Sequence, residues 1–218
     1  MNTRSHANSE VFGCRFTRIL RAVSLTPLLV GALLSSAMAG DSTDIGNPTT
    51  RGSTQNTGDE WTVTAGGTDI WGTSDQFHYS HQSINGSSAL SAKIESVSES
   101  DPWAKAGVMI RADTAVGAPH ASAFVTNKMG VSFLWRNLPG GNSTSAKVPG
   151  VLPPVWLKLE RKDNDFSAFY SEDGKKWTQI GSTQTIVMKK AALGGLAVTA
   201  HSSVQPCTAK ARSVSIRR

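Results

Sequence analysis

The chain has 218 residues, 22 of them basic and 16 acidic, for a formal net charge of +6, and two cysteines. Residues 1–39 hold four Arg and one Glu, so the remainder has 18 basic and 15 acidic residues and a net charge of +3. No Lys/Arg stripe with interleaved aromatics remains, which argues against nucleic acid as a partner, and with Cys14 in the leader, Cys207 stands alone and leaves no intramolecular disulfide.

Arg15, Arg18 and Arg21 precede an uncharged run, Ala22 to Ala39, that is rich in Leu, Val and Ala and closes with Ala37-Met-Ala39. This is the layout of a secretory signal peptide over 1–39, cut before Gly40. A membrane anchor is the competing reading, but Pro27 and several Ser interrupt a run that barely reaches the ~20 apolar residues of a bilayer span. The expectation is an exported protein, secreted or periplasmic, with no stable membrane insertion after cleavage. Residues 40–58 are mostly Ser, Thr, Asn, Gly and Asp and read as a flexible linker. One domain then spans 59–216, large enough to bury about 70% of its unfolded surface without staples.

Within that domain no segment sustains a helical period. Short alternating runs separated by Gly, Pro, Asn and Asp predict strands near 60–64, 75–84, 88–98, 104–112, 119–127, 130–136, 155–162, 165–171, 176–181, 192–201 and 207–216. In the run from Trp103 to Arg111, Ala106, Val108 and Ile110 face one way while Lys105, Gly107, Met109 and Arg111 face the other. Val155, Leu157 and Leu159 alternate with Trp156, Lys158 and Glu160 in the same manner. One buried and one open face per strand, with no helices to cover a parallel sheet, predicts two antiparallel sheets packed as a sandwich.

The succession Thr68-Asp-Ile-Trp-Gly72, Asp75-Gln-Phe-His-Tyr79, Trp103 to Arg111, Gly140-Gly141, Trp156-Leu-Lys-Leu159, Ser171-Glu-Asp-Gly174 with Trp177, and Gly195-Leu-Ala-Val-Thr199 resembles a bacterial domain of unknown function labelled enolase-regulation-protein-like. The resemblance covers about 60–216. It implies an all-β jelly-roll sandwich of the concanavalin A-like lectin/glucanase superfamily, common in exported proteins and beside carbohydrate-active modules. Near the end, where that family carries Phe-Asp-Asn-Val, this chain has Ala211-Arg-Ser-Val214, an acid replaced by a base.

Sugar binding needs aromatic planes for pyranose faces and planar polar groups for hydroxyls. Trp71, Tyr79, Trp103 and Trp135, with Arg111, Arg136 and Asp69, are of the right types, and Trp135-Arg136 leads into the Gly-rich loop Asn137 to Asn142. The competing reading makes these tryptophans half-buried packing residues. Asp69 and Asp75 are the candidates for calcium, which takes six to eight oxygens, against turn-capping as the commoner use of Asp; no other cofactor is expected. His78 and His81, three apart on a strand, fall on opposite faces and do not form a metal pair. Ser171 to Trp177 resembles an Asp-box hairpin of sialidases and reads as structural.

The function these residues suggest is a non-catalytic, lectin-like module that binds a glycan or another envelope component. The alternatives are a glycoside hydrolase and a structural or protein-interaction role in the envelope. Glu95, Glu99 and Asp101 are the only acidic cluster suited to hydrolysis, but retention needs two carboxylates about 5–5.5 Å apart, and in a strand Glu95 and Glu99 would be ~13 Å apart.

Overall fold

The computed structural model describes residues 40–218. The expected signal peptide over 1–39 lies outside the described residues. One seven-stranded antiparallel sheet runs β1 (Asp41–Ile45), β6 (Phe77–Asn85), β15 (Ala191–Thr199), β8 (Lys105–Arg111), β9 (His120–Thr126), β10 (Val131–Arg136), β11 (Thr144–Val148). The second runs β14 (Thr178–Thr185), β13 (Asp165–Ser171), β12 (Val155–Lys162), β7 (Ser88–Val97), β16 (Ser202–Arg217), β3 (Glu60–Gly67), β2 (Ser53–Thr57). A two-stranded ribbon joins β4 (Ile70–Trp71) to β5 (Ser74–Asp75). The fold is an all-β, two-sheet antiparallel jelly-roll sandwich, and among the described residues there is no helix.

Every strand expected from alternation is present, with ends that differ by a few residues. The expected linker is not a linker. Asp41–Ile45 pairs in register with β6, Ile45 opposite Phe77, and Ser53–Thr57 pairs with β3, so the segment closes an edge of each sheet. Its polar composition is that of an edge strand, where one face and one row of backbone groups stay in water.

The inner faces of the two sheets meet in the main core, where Ala106, Val108 and Ile110 of β8 pack with Phe133, Leu157, Leu159 and Phe166. Leu157, Leu159 and Phe166 are fully buried, and truncating such a residue to Ala costs roughly 2–5 kcal/mol.

The far face of β8, expected to be open, is buried along its whole length. Met109 joins Ile45, Phe77, Tyr79, Phe124, Leu134 and Ala197 in a second apolar cluster, capped by Ile70 of the β4–β5 ribbon. Charge ties the ribbon down: Asp69 beside it accepts from Lys105, and its Asp75 accepts from Arg111 Nη1 at 2.6 Å and from Arg136. The ribbon thus covers part of the outer face of the first sheet and leaves a groove beside itself.

Candidate functional site: a groove on the outer face of the first sheet

The groove has a volume of about 330 Å³ and lies against β8–β11. Trp71, 44% exposed at the ribbon's turn, and Trp103, in the segment leading into β8, supply aromatic surface. Leu134 and Met129 add apolar contacts. Polar groups come from alternate residues of three strands: Lys105 on β8, Ser132 on β10, and Ser145 and Lys147 on β11. Registration sets these neighbours side by side, with Ser132 opposite Lys147 and Leu134 opposite Ser145. Lys147 Nζ lies 4.3 Å from the Trp103 ring centroid, a cation–π contact that holds the indole while leaving ring surface toward the groove.

Asp69 closes one end. Its Oδ1 accepts from Lys105 Nζ and from the Ile70 N–H at 2.7 Å, and its Oδ2 lies 3.3 Å from His201 Nε2. The other His201 nitrogen is 2.9 Å from Asp101 Oδ1, so the imidazole lies between two carboxylates. His201 sits in the turn between β15 and β16 with φ 51°, a left-handed conformation that a non-glycine residue adopts at some cost. The groove therefore offers aromatic planes, an amine pair, hydroxyls and a carboxylate–imidazole unit, a set able to stack a ring and hydrogen-bond its substituents.

Of the residues singled out from the sequence, Trp71, Trp103 and Asp69 come together here. The others do not reach it. Arg111 and Arg136 are completely buried, and their donors are consumed: Arg111 Nε on Asp113 O at 3.0 Å, Arg136 Nε on Gly141 O at 2.9 Å, and both guanidinium groups on Asp75. Burial lowers the Arg111 pKa, with Asp75 opposing the shift. Tyr79 is also buried, its hydroxyl donating to the Met109 and Leu193 carbonyls at 3.0 Å, and burial raises its pKa. Trp135 stands on the opposite face of β10. Val131, Phe133 and Trp135 point between the sheets, and the Trp135 ring lies 5.0 Å from that of Phe133.

Calcium does not fit the pair Asp69 and Asp75. Asp75 is 2% exposed with both oxygens on guanidinium groups, and Asp69 faces an ammonium and an imidazole. Burial would raise the Asp75 pKa, but the hydrogen bond from Arg136 and the nearby positive charges outweigh it and hold the carboxyl below its ordinary value. Among the described residues no three His, Cys, Asp or Glu side chains are grouped to hold a metal.

His78 and His81 do fall on opposite faces: His78 bonds Asp44 at the sheet seam, whereas His81 stacks on Tyr79 at 4.8 Å between centroids. The Asp-box-like hairpin is a capped turn, in which Asp173 Oδ1 accepts from the Lys175 and Lys176 N–H groups at 2.8 Å. Those backbone N–H groups, with Ser171, lower the Asp173 pKa.

Sequence reasoning missed Ser145, Lys147 and His201. The first two alternate on β11, a strand too short and polar to stand out between Gly-rich turns, and His201 reaches Asp69 only through the fold.

No family model and no curated protein sequence matches this chain. Solved structures do. A functionally unknown protein from Saccharomyces cerevisiae superposes with a TM-score of 0.62 at 14% identity, covering 81% of this chain and 95% of that one. The carbohydrate binding module CBM66 from Bacillus subtilis superposes with a TM-score of 0.54 at 16% identity, over 81% and 95% of the two chains. The GH43 protein BlXynB from Bacillus licheniformis gives 0.53 at 14% identity, with 72% of this chain matched to 32% of that one. At these identities the likeness is one of fold, and it agrees with the topology above: the chain is a two-sheet jelly-roll sandwich.

Proposed function

We propose that this protein is an exported glycan-binding module, secreted or periplasmic, that holds its sugar in the groove between Trp71 and Trp103. The observation that carries this reading is the convergence of two accessible indoles with Asp69, Lys105, Ser132 and Lys147 in one concave site. Apolar pyranose faces stack on indole, and a few fixed polar groups select the hydroxyls. The shared fold with a carbohydrate binding module supports the same class of partner. Kinship with the enolase-regulation-protein-like domains is part of this proposal and rests on the motifs quoted above.

Binding is favoured over glycoside hydrolysis by the carboxylates. Among the described residues Asp69 is the only one lining the groove, and it is already paired with Lys105. Glu95 lines a different depression on the second sheet and pairs with Lys93 at 2.9 Å. The acid and base of a glycosidase need two such groups across one bond.

The test is binding of the protein to a broad panel of glycans and polysaccharides, with release of reducing ends assayed in parallel. A glycan bound by wild type, and bound at least about tenfold more weakly by Trp103→Ala with an unchanged melting transition, is the expected result. A folded protein that binds nothing on the panel would overturn the assignment and leave an interaction role in the envelope, and reducing ends released by wild type would make the module an enzyme.

A further inference from the structure

The seam where the two sheet edges meet carries a second constellation that shares no residue with the groove. On β1, Ser42 and Asp44 are two residues apart and so project to one side. Asp44 stands directly opposite His78 of β6 in the strand register. Ser42 Oγ lies 2.7 Å from His78 Nε2, and Asp44 Oδ1 lies 2.7 Å from His78 Nδ1.

The support around these three is specific. The Gly52 N–H is 3.1 Å from each oxygen of Asp44, which fixes the carboxylate against the imidazole. A Cβ on Gly52 would fall 2.2 Å from His78 Nδ1, so this approach requires glycine. His78 is 3% exposed, whereas Ser42 is open to a groove of about 650 Å³ whose wall includes Asn47 and Arg51. Thr54 of β2 places its Oγ1 3.1 Å from the same Nε2 and holds the imidazole from the other sheet.

An imidazole oriented by a carboxylate at Nδ1 and hydrogen-bonded through Nε2 to an accessible hydroxyl is the arrangement that activates serine for acyl transfer. We infer that Ser42, His78 and Asp44 act as nucleophile, general base and orienting group in the hydrolysis of a short-chain carboxylic ester carried on a polar alcohol, such as an O-acylated sugar.

Ser42 Oγ attacks the ester carbonyl while its proton passes to Nε2. The tetrahedral intermediate collapses with cleavage of the bond to the leaving alcohol, which takes that proton from His78. Water then attacks the acyl-Ser42, its proton moving to Nε2 and on to Ser42 Oγ as the carboxylic acid departs. Asp44 orients the imidazole through its contact with Nδ1. Asn47 and Arg51 line the same groove, and their side-chain donors are assigned to the oxyanion.

The experiment treats the full chain with a fluorophosphonate probe, maps the labelled peptide, and follows hydrolysis of p-nitrophenyl acetate by wild type, Ser42→Ala and Asp44→Asn. The expected result is a label on Ser42, with turnover lost at least ~100-fold in Ser42→Ala and in Asp44→Asn. Ser42→Ala alters an exposed side chain, so its melting transition serves as the folding control. No label together with turnover equal to that of Ser42→Ala would overturn the proposal, as would a label on Thr54. Glycan binding by the same variants is read separately, so the failure of either assignment leaves the other intact.

Discussion

Arg136 grips Asp75 with both arms of its guanidinium, Nη1 to Oδ2 and Nη2 to Oδ1, each at 2.6 Å, and both side chains are fully buried. Arg111 adds a third bond to Oδ2 at 2.6 Å. The carboxylate therefore fastens the β4–β5 ribbon to two neighbouring regions of the first sheet. Removing Asp75 leaves two buried guanidinium charges without a counter-charge. Asp75→Ala is expected to cost roughly 3–5 kcal/mol in chemical denaturation. A loss under about 1 kcal/mol, the scale of a surface pair, would mean that the ribbon holds without it.

Two tryptophans separate binding from packing. Trp103→Ala removes an indole from the groove and is expected to weaken glycan binding about 10- to 100-fold with little change in stability. Trp135→Ala is expected to do the reverse, lowering stability by roughly 2–3 kcal/mol because its ring packs on Phe133 between the sheets. Isothermal titration and thermal melts on both variants check this, and equal losses of affinity would return Trp135 to the site.

Acid should destabilise the protein through His120. Burial, followed by the neighbouring Arg111 and Arg136 charges, pushes its pKa down to about 3, against an attraction from Asp75 that acts the other way. The unfolded chain therefore binds a proton below about pH 6.5 that the folded chain refuses until about pH 3. With more protons on the unfolded side, stability falls as pH falls across that window, by ~1.4 kcal/mol per pH unit for one proton. His81, whose pKa burial also lowers, adds a slope of the same sign. Asp75 behaves as a depressed carboxylate: its contribution is complete above its ordinary value and is lost as pH drops through the lower folded one. Denaturation midpoints between pH 7 and pH 4 should show a shallower decline for His120→Gln than for wild type.

Chelation should leave glycan binding unchanged. Both carboxylates once suited to calcium are occupied by cations of the chain itself. A binding isotherm that collapses in chelator and recovers with added calcium would show that oxygens other than these form a metal site.

Much of the fold is legible wherever a strand has one apolar face. Val155, Leu157 and Leu159 are buried and Trp156, Lys158 and Glu160 are not, as their alternation requires. β8 misleads because its second face is covered by a ribbon held by ion pairs and by Ile70, all distant in sequence: Asp75 precedes Arg111 by 36 residues and Arg136 by 61. No local pattern announces that pairing, so two arginines of a type suited to sugar hydroxyls read as ligands. β1 and β2 are illegible for a different reason. Their residues, Asp41-Ser-Thr-Asp-Ile and Ser53-Thr-Gln-Asn-Thr, have the composition of a tether, and only hydrogen bonds to β6 and β3 make them strands. In the groove, Trp71 and Trp103 could be named by type, while Lys147 and His201 depended on topology.

The placement of β1 and β2 bears on how molecules of this protein avoid one another. Each forms the outermost hem of its sheet, polar and short, over strands richer in apolar residues. A chain starting at Glu60 would expose β6 and β3 as two raw borders with free backbone donors and acceptors, and such borders pair readily with those of other copies. The first residues after Gly40 thus guard solubility as well as completing the sandwich, and a protease that trims them would yield a product prone to assemble edge to edge.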